Sequence, residues 1–113
     1  MISLGPFIWP QAKSMKQKFM VIYEHGRRNY SGFAPDIPGA ASVGKDLSEM
    51  RRMMKECLEA HLKFMAEDGD ELPTPMAKSF DFGEIRDEKV DHYVVEWLEI
   101  EVPEVILASQ VNH

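Results

Sequence analysis

The chain is poor in cysteine, in long apolar runs and in positive charge, and each shortage removes a class of protein. One thiol, Cys57, stands among 113 residues. It cannot close an internal disulfide, and no Cys/His cluster has zinc-finger spacing, so neither a disulfide scaffold nor a spaced metal site is expected. A lone thiol among apolar helix residues reads as a small core hydrophobe and fits a reducing cytoplasm. No apolar run approaches the roughly 20 residues that a membrane span needs. Phe7-Ile8-Trp9 is broken at once by Pro10 and follows no basic segment, so a signal peptide is not expected either. Lys and Arg number 13 against 19 Asp and Glu, for a formal charge of −6. A compact acidic domain is ill suited to phosphate backbones and better suited to a basic protein partner.

What remains is globular. Hydrophobic residues make up 44% and charged residues 28% of a length that allows one domain with its own core. Residues 1–17, punctuated by Gly5, Pro6 and Pro10, read as an N-terminal extension, with two alternatives: Met1 is an upstream start to a domain that opens near Met15, or the Phe7-Ile8-Trp9 cluster docks on the domain or on a neighbouring copy. Residues 18–102 read as the domain and 103–113 as a C-terminal tail. Phe19, Val21, Ile22 and Tyr23 predict a strand over 18–25. Gly26-Arg27-Arg28-Asn29 then makes a hairpin connection to a second strand over 30–34, and small residues at 41–44 form a third.

A helix over 47–68 is predicted from three signals. Asp46-Leu47-Ser48-Glu49 has capping-box logic, with an acid at the N-cap and a glutamate three positions on. Met50, Met53, Met54, Cys57, Leu58, His61, Phe64 and Met65 recur at helical spacing and predict the buried face, part of which is a candidate docking surface. Glu49, Arg52, Glu56, Glu59, Lys63 and Glu67 line the other face, with Glu59–Lys63 and Lys63–Glu67 spaced as surface pairs. Gly69 ends the helix as its C′ residue. Leu72-Pro73-Thr74-Pro75 stiffens the exit, and 80–89 reads as a polar loop. The last strand, 91–102, changes phase: Tyr93, Val95 and Trp97 share one parity, Leu98, Ile100 and Val102 the other. A β-bulge near Trp97-Leu98 would account for that.

The most specific segment is Tyr30-Ser31-Gly32-Phe33-Ala34-Pro35-Asp36-Ile37-Pro38-Gly39. Each proline fixes its own φ and extends the residue before it, and Gly39 supplies the turn. With the short strand, the helix ending at Asp68-Gly69 and Leu72-Pro73-Thr74-Pro75, this order resembles the N-terminal domain of HicB-like antitoxins. The resemblance covers about residues 18–102. It implies an α+β fold of order β-β-β-α-β, with one antiparallel-rich sheet and a single long helix on one face, often described as a reduced ribonuclease H-like fold. It implies as partner HicA, a small basic ribonuclease toxin with a double-stranded-RNA-binding-domain-like fold. Family members often carry cysteine where this chain has Ala40. Many also continue into an operator-binding module, for which residues 103–113 leave too little chain, so direct DNA binding is not expected.

Nuclease chemistry would need carboxylates gathered around two metal ions. The first strand reads Phe19-Met20-Val21-Ile22-Tyr23, with Glu24 only at its end. Asp36 lies in a turn, where an aspartate typically bonds its own backbone. Asp91 and Glu96 are close enough in sequence to approach, whereas Glu99 and Glu101 have the phase of a solvated face. His61 sits at the edge of the apolar stripe, and His25, His92 and His113 have no spacing to a nucleophile. No catalytic, cofactor-binding or metal-binding residue is assigned. The expectation is a cytoplasmic antitoxin domain that occludes a HicA-like toxin, with Asp36, Pro38, Gly39, Glu49, Glu56 and Glu59 as partner-binding residues and a homodimer or higher oligomer as its state. Its rivals are a stand-alone oligomerisation module of the same fold that has lost toxin and DNA binding, and a weak metal-dependent nuclease.

Overall fold

The computed structural model describes residues 14–79 and 90–104. Four strands and one helix follow in the order β1 (Ser14–His25), β2 (Tyr30–Phe33), β3 (Ala41–Gly44), α1 (Leu47–Glu67) and β4 (His92–Pro103). The strands form one antiparallel sheet in the order β3-β2-β1-β4. This is the expected α+β arrangement. The first strand begins four residues before its predicted start, at Ser14, because β4 pairs with it along the whole length from Ser14↔Pro103 to His25↔His92. The polar loop expected at 80–89 lies outside the described residues, as does the Phe7-Ile8-Trp9 cluster.

Helix α1 covers one sheet face. Asp46 caps it in extended geometry, its Oδ1 accepting from the Glu49 amide at 2.8 Å. At the other end the Gly69 amide donates to Ala66 O and the Asp70 amide to Met65 O, with Gly69 at φ +79°. These crossed bonds make a Schellman motif, which favours glycine at that left-handed position. Met50, Met54, Leu58 and Leu62 are fully buried against Phe19, Val21, Tyr23, Ile100 and Val102. Burying each such side chain contributes about 1.5–3 kcal/mol.

Two expectations need correction. Leu62, not Phe64, completes the buried row, and Phe64 is 68% exposed. At about 100° per residue, the stripe follows successive i, i+4 positions and leaves Phe64 roughly 100° from its centre. There is also no bulge at Trp97-Leu98, since the β1–β4 register runs unbroken through both residues. Val94, Glu96, Leu98, Ile100 and Val102 alternate on the helix side, paired with the odd-numbered residues of β1. The apparent change of phase has another cause. Glu96 is a polar residue with partners on the packed face, while Val95 and Trp97 are apolar residues on the opposite face, 43% and 49% exposed. Their cross-strand partners Ile22 and Met20 are buried.

Candidate functional site

The segment from Ala34 to Ala40 folds as two consecutive turns. The Ile37 amide donates to Ala34 O at 3.0 Å and the Ala40 amide to Ile37 O at 3.4 Å. A proline stands second in each turn, and Gly39 takes φ +92°, the geometry a type II turn requires at its third position. Ile37 is buried as the anchor, whereas Pro38 and Gly39 are exposed at the tip. Asp36 does not bond its own backbone as expected. Its Oδ2 accepts from the amides of Met76 and Ala77, at 2.7 and 2.8 Å. Those amides belong to the chain leaving the helix through Pro73 and Pro75, so the turn and the helix exit are joined as one unit.

On the outer face of α1 the three candidate glutamates differ. Glu49 Oε1 accepts from the Lys45 amide at 2.8 Å, reaching past the Asp46 N-cap to the residue before it, where a standard capping box would bond the N-cap amide itself. Glu59 Oε2 accepts from Lys55 Nζ at 2.6 Å and from the Glu101 amide at 2.8 Å, which ties the helix to β4. Glu59 therefore meets Lys55 rather than the expected Lys63. Glu56 is the exposed one, with 64% of its side chain accessible and Arg52 3.8 Å away.

The acids that a nuclease would need are spread out. Glu96 accepts from Tyr23 Oη at 2.9 Å and from Arg51 Nε at 3.0 and 3.1 Å. Burial, and then the carboxylate beside it, push the Tyr23 phenol far above its ordinary range. The same carboxylate raises the Arg51 guanidinium. Asp91 lies about 17 Å away along β4, at roughly 3.4 Å per residue. Asp36 is held in its turn, so these acids do not converge.

Asp91 belongs to a different group, with His25 and His92. Its Oδ2 lies 3.5 Å from His25 Nδ1 and 3.4 Å from His92 Nδ1. The two imidazoles stack with centroids 4.7 Å apart, and Tyr30 packs on His25 at 4.5 Å. Spacing along the chain could not reveal this cluster, because the histidines meet through strand register alone. Their places at the end of one predicted strand and the start of another were the available signal.

Among the described residues no helix is long and apolar enough to cross a membrane. The family model described as HicB_like antitoxin of bacterial toxin-antitoxin system matches residues 19–110. A UPF0150 protein of Thermotoga maritima is 40% identical over 62 residues, 53% of this chain and 79% of that protein. Antitoxin HicB 2 of Photorhabdus laumondii is 32% identical over 72 residues, 64% of this chain but only 52% of that antitoxin. The chain thus spans about half of that longer relative. A chain of a solved HicA3 and HicB3 toxin-antitoxin complex superposes with a TM-score of 0.60 at 19% identity, covering 76% of this chain and 98% of the other. That likeness is one of fold. Motif order, architecture and the match over residues 19–110 agree: the chain belongs to the HicB-like antitoxin family of bacterial toxin–antitoxin systems.

Proposed function

We propose that this chain neutralises a HicA-like ribonuclease toxin in the cytoplasm by binding and covering its basic RNA-handling surface. The observation that carries the reading is the family match across the folded domain, supported by the fold's likeness to a chain of a toxin–antitoxin complex. The net charge of −6 suits a basic partner, since opposite fields speed encounter and suppress wrong partners. Binding rather than turnover is favoured by Glu96, whose carboxylate is already occupied by Tyr23 and Arg51.

The proposed contact surface is the outer face of α1 with Glu49, Glu56 and Glu59, continued by the turn at Asp36, Pro38 and Gly39. Exposed Glu56 and the turn tip are its accessible parts, and Glu49 and Glu59 hold the face in shape. Co-expression with a HicA-like toxin, sought as a short, basic, histidine-bearing protein in the neighbouring reading frame, should relieve the growth arrest that the toxin causes. Growth arrest that persists with both proteins folded and present would remove this reading and favour the stand-alone module.

Self-association is the second part of the proposal. Val95, Trp97 and Val43 are 43%, 49% and 55% exposed on the sheet face opposite the helix, which favours a homodimer or higher oligomer. Light scattering at high micromolar concentration should give at least twice the 13.0 kDa chain mass, and a monomer would remove that part alone.

A further inference from the structure

His25 ends β1, His92 opens β4, and the register sets them directly opposite each other. The Asp91 amide donates to the His25 carbonyl at 2.7 Å, so backbone pairing holds all three residues together. We propose that His25, Asp91 and His92 form a binding site for a zinc-class divalent cation at this end of the sheet.

The spacing fits. In a tetrahedral zinc site with bonds of about 2.0–2.1 Å, ligand atoms stand about 3.3–3.4 Å apart. Asp91 Oδ2 is already 3.5 Å from His25 Nδ1 and 3.4 Å from His92 Nδ1. The two ring nitrogens lie within 4.8 Å of each other, and rotation of the half-exposed His92 ring closes that edge. Two imidazoles and a carboxylate select zinc and its first-row neighbours over magnesium or calcium, which prefer all-oxygen sites. Water takes the fourth position.

A second observation also points to a ligand. His25 Nδ1 is buried and has no hydrogen-bond partner among the described residues. Asp91 lies at ion-pair distance from it without hydrogen-bond geometry. A buried, unpaired ring nitrogen is costly, and a coordinated cation satisfies it. Tyr30 walls the site on one side, while Asp91 and His92 are exposed and leave it open to entry. A bound cation joins the end of β1 to the start of β4. It binds the folded chain far better than the unfolded one and so stabilises the pairing.

The test uses the untagged chain, with Zn²⁺ followed by calorimetry and Co²⁺ by visible absorption, alongside thermal melts. One equivalent should bind, Co²⁺ should give the intense bands of a four-coordinate site, and Zn²⁺ should raise Tm. His92→Ala and Asp91→Ala change exposed residues, and each should weaken Zn²⁺ binding at least about tenfold and abolish the shift in Tm. His61→Ala, remote from the cluster, should retain both. Absence of Zn²⁺ binding by the parent chain, binding unchanged in both site variants, or equal loss in His61→Ala would overturn the site.

Discussion

Asp36 holds Met76: one carboxylate oxygen in the Pro-Asp-Ile-Pro-Gly turn accepts the amide of a residue 40 positions later, and the next amide as well. The motif's aspartate thus serves tertiary structure, fastening the chain that leaves α1 to the turn beside β2. The prolines pre-set both sides of this junction, so few conformations compete with it.

Asp36→Ala removes both charge-assisted bonds and should cost about 2 kcal/mol. Asp36→Asn keeps an acceptor oxygen and should recover more than half of that loss. Urea unfolding of the three proteins checks this. Equal stability of the alanine and parent chains would show that the bond is unimportant.

The Tyr23–Glu96 pair gives a pH prediction. The folded state raises the Tyr23 phenol above its ordinary pKa of 10.0, because burial and then Glu96 oppose its ionisation. A raised folded pKa contributes stability that is fully present below the unfolded value and declines above it. Unfolding should therefore become easier from about pH 10 upward, by up to about 1.4 kcal/mol per pH unit for this one proton. Tyr23→Phe should be less stable at neutral pH by about 1–2 kcal/mol and should lose this share of the alkaline slope. Identical slopes for the two proteins would contradict the assignment.

Much of the fold could be read from the residues. Asp46 and Gly69 marked the helix ends through their chemistry, and both act there as caps. The three strands before the helix were visible from β-formers and turn residues. The sequence was misleading where a polar residue has a private partner. Glu96 on the packed face imitated a shift of phase, because its bonds to Tyr23 and Arg51 depend on cross-strand and helix–sheet contacts that no local window contains. The same limit hid Glu59, whose second partner is the Glu101 amide of β4, and the His25–His92 pairing.

Gly44 marks a close approach. A Cβ added there would lie 2.5 Å from the Met50 amide nitrogen and 2.6 Å from its Cα, inside the first turn of α1. Backbone cannot yield as a side-chain tip can, so Gly44→Ala should cost about 3 kcal/mol or more. Thermal melting measures it, and a shift of less than a degree would mean that helix and strand separate freely.

Charge reversal separates recognition from stability on the helix face. Glu56→Lys alters an exposed residue and should leave stability within about 0.5 kcal/mol. It should slow toxin association on the order of threefold. Adding Glu49→Lys and Glu59→Lys should slow it further and also cost roughly 1 kcal/mol for each lost backbone bond. Stopped-flow association and urea melts read the two effects separately. Unchanged association in a folded triple variant would place the contact on another surface.

The most direct test is a titration of this chain into an inactive form of a HicA-like toxin, at low and high salt. A stable stoichiometric complex is predicted. Its association should slow steeply as salt rises, because opposite fields steer the encounter. The active toxin should stop cleaving RNA as the complex forms. No complex at micromolar concentrations of both folded proteins, or RNA cleavage that continues within the complex, would contradict the account.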